Sequence, residues 1–316
     1  MPTQIKKFRI KLILFLLPFV VLFSWIEYQA RRLPNSYEQK KRSFEKLHHS
    51  IKILVLGSSH ASKDINPALF SCIGFNFSNS SQTLYHDTQL CLKYIDELPQ
   101  LKGVIIDISY ISLYYDLKDS AEKWRDYFYY HYFGIRQPSL NLYDPKAFTY
   151  TALYTRGLIN DLVFNKLDPK KEFGDFQPTG WERPVQPTDT SVISDSAGLQ
   201  RVRFHNTLII KENLKEKCGY LEEMLARLQK RNISICFVSL PVYKTYSKYM
   251  DPGINSENRQ IILDLCNKYK AVYYDFTTDP RFIKADFSDN DHLSISGAEK
   301  VSRLIDQQFI SGLCKQ

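Results

Sequence analysis

The stretch Ile51–His60, IKILVLGSSH, constrains the fold more than any other part of the chain. Ile51, Ile53, Leu54, Val55 and Leu56 form a short apolar run rich in β-branched residues, and Gly57 ends it. A run of that length and composition predicts a strand buried on both faces, as in a parallel sheet. Gly57-Ser58-Ser59-His60 then makes a turn of small polar residues in which Ser58 or Ser59 can cap a helix. A serine at a strand-to-helix turn sits on the carboxyl edge of the sheet, where open α/β sheets bind ligands. Its hydroxyl is exposed, and its own N–H points where a developing oxyanion would be stabilised. Taken alone, such a turn is more readily a capping turn with no chemistry.

Further strands are expected at Val104–Ile108, Ile233–Leu240 and Ala271–Tyr274, with a short one around Phe75-Asn76-Phe77. Helices are expected over Tyr85–Leu98, closed by Pro99, over Asn213–Lys230 and over Ile254–Tyr269. A last helix should bury Val301, Leu304, Ile305 and Phe309. Strands alternating with helices imply βαβ units, a parallel sheet and an α/β fold. The 316 residues suffice for one such domain with insertions. Residues 113–200 break the alternation. Their first part is dense in aromatics from Tyr114 to Phe133, and 167–199 is rich in Pro, Gly, Asp and Thr and reads as a long loop. The segment is expected as an insertion on the ligand-binding edge or a lid over it, its aromatics packing on the core or stacking on sugar rings.

Near the other end, Asp286–Ala298 reads DFSDNDHLSISGA, with Asp289 three residues before His292. On a helical turn that spacing puts both on one side, so the carboxylate reaches one imidazole nitrogen. The tautomer is then fixed, and the other nitrogen is free to take a proton from a serine. Asp291 is expected to point elsewhere, and Ser296 to open the last helix with capping-box spacing.

The GSS turn together with the late D-x-x-H-L-S-x-x-G-A resembles the SGNH (GDSL-type) hydrolase superfamily. In particular it is similar to membrane-anchored members that handle acyl groups on cell-envelope polymers, such as alginate-acetylation proteins and the D-alanine transfer protein of teichoic acid systems. The resemblance implies a three-layer α/β sandwich with a mostly parallel central sheet. It further implies Ser59 as nucleophile, His292 as general base, Asp289 as orienting acid, and no cofactor. The family's second block, N-x-[GS]-x-x-G, falls on Asn76–Ser81, so Ser81 stands where a glycine N–H donates to the oxyanion beside that of Ser59. A serine serves equally provided the backbone does not need a positive φ. The third block, G-x-N-D, is replaced by Ser109-Tyr110-Ile111-Ser112 without its asparagine. Losing one oxyanion donor costs about 100- to 1,000-fold in rate. The gap favours acyl transfer over hydrolysis, while an esterase and a non-catalytic, anchored binding or assembly subunit stay open.

His60, Asn79, Arg203 and His205 are further candidates for touching substrate, with Arg201 and Arg203 on a strand edge or facing an anionic acceptor. No histidine has metal-ligand spacing, and no metal is expected. Six scattered cysteines include no C-x-x-C, and a Cys72–Cys91 disulfide is the pairing considered. A net charge of +8 suits an anionic membrane or polymer, and no nucleic-acid motif is present.

Lys6, Lys7, Arg9 and Lys11 precede an apolar run, Leu12–Ile26, that contains Pro18. No A-x-A-like cleavage site follows, so an uncleaved signal anchor is expected, with Trp25 and Tyr28 at the interface. Cations on both sides of the run offset one another, and it is the resemblance that implies a cytoplasmic N-terminus with the domain on the extracytoplasmic side. The organisation read from the sequence is an anchor over 1–30, a helical spacer over 31–50 and an SGNH-like domain over 51–316, with the insertion at about 113–200. The expected partners are an envelope carbohydrate or acyl ester as substrate, the membrane, and a membrane-embedded acyl donor protein, with no nucleic acid.

Overall fold

The computed structural model describes residues 2–164, 166, 174–184 and 192–315. Its frame is a parallel sheet built from β1 (Ile53–Leu56), β2 (Gly74–Asn76) and β3 (Gly103–Asp107). After a two-stranded hairpin of β4 (Asp175–Phe176) and β5 (Glu182–Arg183), the sheet is completed by β6 (Ser234–Ser239) and β7 (Val272–Asp275). The strand order is β2-β1-β3-β6-β7. The chain therefore reverses its direction of travel across the sheet between β1 and β3, and the crevice beyond their carboxyl ends is where such sheets take ligands.

Alternate residues of each central strand feed two separate apolar clusters, as the period of a strand requires. Leu54, Leu56, Val104, Ile106 and Phe237 pack on one face, against Leu90 of α4 (Leu84–Tyr94) and later helices. Ile53, Val55, Ile105, Cys236 and Val238 pack on the other, against Ala61 of α3 (Ser59–Asp64). The result is the three-layer α/β sandwich expected from the sequence.

Both ends of the chain are bound to this frame. Helix α1 (Pro2–Arg31) is long and apolar enough from Gln4 to Arg31 to cross a membrane, and its Leu14, Phe15, Phe19 and Val20 are exposed. It outruns the Leu12–Ile26 apolar run because the basic leader and the Glu27–Arg31 segment continue the same helix, with Pro18 inside it. The Glu27 carboxylate accepts from the backbone N–H groups of Tyr150 and Thr151, each at 2.9 Å, and from the Thr151 hydroxyl at 2.8 Å. Helix α2 (Ser36–Leu47), capped by Asn35, buries Tyr37, Lys40 and Phe44. Most of the 31–50 stretch is helical, and it packs into the main core, with Phe44 stacked on Phe77 at 4.8 Å.

The aromatics of 113–133 are largely core. Tyr114, Tyr129 and Phe133 are buried, the last two on α5 (Arg125–Phe133), and α6 (Arg156–Val163) follows. The long loop expected over 167–199 is corrected in part: 174–184 carry the hairpin, while 167–173 and 185–191 lie outside the described residues. Residues 195–207 form α7 (Asp195–Thr207), capped by Ser194. Arg201, Arg203 and His205 thus ride a helix and not a strand edge. The buried Gly198, Val202 and His205, at helical spacing, outweigh the short apolar alternation around the arginines.

The disulfide is Cys72–Cys314 and not Cys72–Cys91, with a Cα–Cα distance of 5.8 Å. Cys91 lies on the inward face of α4, where burial pushes its thiol up to about 12, while Cys72 sits at the surface before β2 and meets the chain's last turn. The bond closes a loop with a sequence separation of 242. Breaking it with Cys314→Ser is expected to cost about 2–5 kcal/mol in a denaturant melt, and an unchanged midpoint would show that the ends hold without it.

Candidate active site

Ser59 owes its place to Gly57. Gly57 has φ +143°, and a Cβ there would stand 2.6 Å from Asp107 Cβ, so β1 can turn beside β3 only with a glycine. The Gly57 N–H donates to Asp87 Oδ1 at 2.8 Å. Ser58 is the N-cap of α3 but makes no side-chain cap bond; its hydroxyl donates instead to Asp107 Oδ2 at 3.4 Å. Ser59 is then the first residue of α3, its hydroxyl beyond the carboxyl end of β1.

His292 stands on a loop just before a helix, the place from which a base can approach a strand-end serine. An isolated bridge between Phe287 and Leu293 closes that loop, and within it Asp289 Oδ1 accepts from the N–H groups of Asp291 (2.9 Å) and His292 (2.7 Å). The carboxylate therefore shapes the bend and faces the ring together. His292 Nδ1 lies 3.0 Å from Asp289 Oδ2, and Nε2 lies 3.0 Å from Ser59 Oγ. With Nδ1–H donated to the carboxylate, Nε2 accepts the serine proton. Burial pushes the Asp289 carboxyl up, but the hydrogen bond and charge of His292 outweigh it and hold the group below the usual range. The loop is tied to α3 by the Leu293 N–H, which donates to Asp64 Oδ1 at 3.0 Å. The cap of the following helix, α8 (Ile295–Ile305), is Ser294, whose hydroxyl accepts from the Gly297 N–H, and not Ser296.

Asp291 does not point away as expected. Its Oδ1 is 3.8 Å from His292 Nδ1, and Arg201 donates Nε–H to both its oxygens at 2.9 and 3.1 Å. His60 Nε2 is 3.5 Å from Oδ2 and His205 Nε2 4.0 Å. Burial opposes the Asp291 charge, yet His292, His60 and Arg201 hold the carboxyl well below its ordinary value. Burial and the Arg201 charge push His205 down to about 3, so its imidazole is neutral at physiological pH. Among the described residues, His60, Asp291 and His292 form the group whose ligand atoms come within 4.8 Å of one another. The set suits a cation poorly, because the Arg201 guanidinium already occupies the Asp291 carboxylate and His292 is engaged by Asp289 and Ser59.

A cavity of about 310 Å³ opens in front of Ser59, lined by Ser81, Ser109, Ser112, Arg201 and His292 among others. Among the described residues, neither the Ser59 N–H nor the Ser81 N–H has an acceptor. Ser81 has φ +58°, so its backbone does sit in the left-handed region that the sequence reading required it to avoid. The segment before it is clamped by the buried Lys40 ammonium, which donates to Asn76 O (3.3 Å), Ser62 Oγ (3.4 Å) and Ser78 O. Burial pulls Lys40 down to about 7. Asn76 in turn donates to Ala61 O and Ile65 O, tying the same segment to α3. Where the third-block asparagine is missing, Ser109 and Ser112 share a hydrogen bond between their hydroxyls at 2.9 Å, which leaves one hydroxyl proton of the pair free. Burial raises two carboxyls behind the turn, Asp107 to about 6 and Asp87 to about 7.

Of the other candidates, His60 and His205 line the cavity, whereas Arg203 is exposed on α7 and is not among the lining residues. Asn79 is buried and lines a neighbouring cavity instead. Lys40 and Asp87 were missed by sequence reasoning. One sits in a charged run and the other in an unremarkable helix start, and no local pattern sets either apart.

No protein-family model matches the chain, and no curated protein matches it. Solved structures overlap it loosely. One, described as a platelet activating factor from Streptococcus pneumonia, is 13% identical, covers 92% of this chain and 97% of its own, and has a TM-score of 0.40. An acylhydrolase from Bacteroides fragilis is 12% identical, covering 90% and 94%, with a TM-score of 0.40. A GDSL-like lipase from Bacteroides thetaiotaomicron is 11% identical, covering 88% and 97%, with a TM-score of 0.43. Overlaps this loose transfer no residue role and no substrate to the chain.

Two outcomes are expected from this geometry. Ser81→Gly keeps the N–H and relieves the left-handed backbone, so it should raise stability by about 1 kcal/mol; a loss of stability in a thermal melt would contradict that. For Asp87, the folded-state pKa is raised, so its contribution to stability is full below the unfolded value of 3.8 and is lost as pH rises through about 7. Between about pH 5.5 and about pH 8.5 the loss should be roughly 2 kcal/mol. Asp87→Asn should flatten that slope, and an equal slope in both proteins would refute the assignment.

Proposed function

We propose that the chain is a serine-dependent enzyme that moves an acyl group, acetyl foremost, to or from a hydroxyl of a cell-envelope carbohydrate. The observation that carries this reading is the continuous contact from Asp289 through His292 to Ser59, at 3.0 Å on each side of the imidazole. In the proposed reaction His292 Nε2 takes the Ser59 proton as Oγ attacks the ester carbonyl. The N–H groups of Ser59 and Ser81 hold the oxyanion, and the proton passes from His292 to the leaving alkoxide. An acceptor hydroxyl then loses its proton to His292 and attacks the acyl-serine, which restores Ser59 and gives the new ester. With water as acceptor the same residues perform hydrolysis, and how well the cavity excludes water decides between the two.

The placement of this chemistry outside the cytoplasm is supported by α1, which has the length and composition of a membrane span, and by Cys72–Cys314, a bond that persists in oxidising compartments. In this reading a membrane-embedded partner would deliver the acyl group.

Turnover of p-nitrophenyl acetate should vanish in Ser59→Ala and fall on the order of 10³- to 10⁴-fold in Asp289→Asn. Adding an oligosaccharide acceptor to the wild type should yield acetylated sugar. Turnover that survives in Ser59→Ala sinks the nucleophile, and acetate release with no acylated sugar under any acceptor sinks transfer in favour of hydrolysis.

A further inference from the structure

A second cavity, of about 620 Å³, adjoins the one in front of Ser59, and the two share Ser80 and Arg125 in their walls. It is not a sealed packing defect of the aromatic insertion. Its walls combine the rings of Tyr37, Trp124, Phe128, Tyr154 and Phe176 with polar groups from several separate segments, among them Asn35, Asn79, Arg125 and Glu182. The Asn79 side chain is buried on this wall, and its Nδ2 has no hydrogen-bond partner among the described residues. A buried amide donor left unpaired costs about 1–3 kcal/mol unless something else accepts from it.

The chemistry of the walls selects the occupant. A fatty acyl chain would leave the Asn79 amide unpaired and lay hydrocarbon against Arg125 and Glu182, which already bond Glu122 and Ser62, at a desolvation cost with no return. A carbohydrate offers hydroxyls to those groups and the apolar faces of its rings to the aromatic side chains, and a volume of this order is that of a ligand pocket. Trp124 is the most accessible of the rings, edge-on to Phe128 at 5.6 Å, with Arg125 over its face at 4.6 Å. Asn35 and Ser36 at the start of α2 and Leu158 of α6 line this cavity and not the first, beside the segment where Glu27 of α1 is held. The cavity therefore leads from Ser59 towards the end of the anchor helix.

We infer that this second cavity is an extended carbohydrate subsite, which holds sugar residues flanking the one acylated at Ser59 and runs them towards the membrane-proximal end of the domain. The inference rests on the proposed reading of Ser59 as nucleophile, and its test separates the two. With the full chain in nanodiscs, acetylated xylohexaose and an acetylated uronic hexasaccharide are compared with an acetylated monosaccharide in the wild type, Trp124→Ala and Leu158→Trp. The ratio of hexasaccharide to monosaccharide turnover should fall at least tenfold in both variants for at least one of the two polymers. An unchanged ratio for both overturns the subsite. So does a result in which Leu158→Trp slows labelling by a dodecyl fluorophosphonate relative to a methyl one while the sugar ratio holds, because the occupant is then an acyl chain. If the wild type neither turns over nor labels, the nucleophile fails by itself. Binding of the hexasaccharides to Ser59→Ala, read by calorimetry and weakened at least tenfold by adding Leu158→Trp, still upholds the subsite, and absence of that binding overturns it.

Discussion

The hydrogen bond between Ser59 Oγ and His292 Nε2 joins residues separated by 233 positions, and most of the architecture serves to make it. The serine is delivered by a glycine that alone fits between β1 and β3. The histidine is delivered by a loop that its own Asp289 shapes through two backbone hydrogen bonds. Asp64, buried in α3, then ties that loop to the helix that begins with the serine. A parallel sheet whose direction of winding changes at β1 and β3 leaves a crevice at that point, and both groups meet over it.

The surroundings of this contact are electrostatically uneven. Burial raises Asp64, Asp87 and Asp107 behind the serine turn, whereas Asp291 has a guanidinium and imidazoles around it and is held ionised. The acids behind the turn act as hydrogen-bonding struts whose neutral form suits their surroundings. Asp289 and Asp291 keep negative charge on the imidazole's side, where in the proposed reaction it would stabilise the imidazolium formed as the serine gives up its proton. The segment bearing Ser81 is held by the Lys40 side chain of α2, so the helix that follows α1 is part of the site's support. The carboxyl end of α1 is itself bonded to the domain through Glu27.

The strands and long helices were legible because their signals are local: apolar runs for β1 and β3, helical spacing for Leu214–Lys230 and Pro252–Tyr269. Ser59, Asp289 and His292 could be singled out from two short motifs, and the sheet edge on which the serine would lie followed from the strand alone. What the sequence left hidden depends on distant partners. Asp291 is adjacent to His292 in the chain, and only Arg201, far away in sequence, explains why it turns inward. Cys72 finds Cys314 and not Cys91 because the last turn of the chain returns to the edge of the sheet. Arg201 and Arg203 alternate with apolar neighbours over too short a span to outweigh a helical face. The left-handed backbone of Ser81 carries no mark in the residue type that stands there.

The most direct measurement is to identify the atom that becomes covalently bound. The native protein is treated with a fluorophosphonate, digested, and the modified residue located by mass spectrometry. The account requires a single adduct on Ser59, absent when the protein is unfolded before treatment. An adduct on Ser58, Ser62 or Ser81 in its place, or no adduct on the native chain, would contradict it.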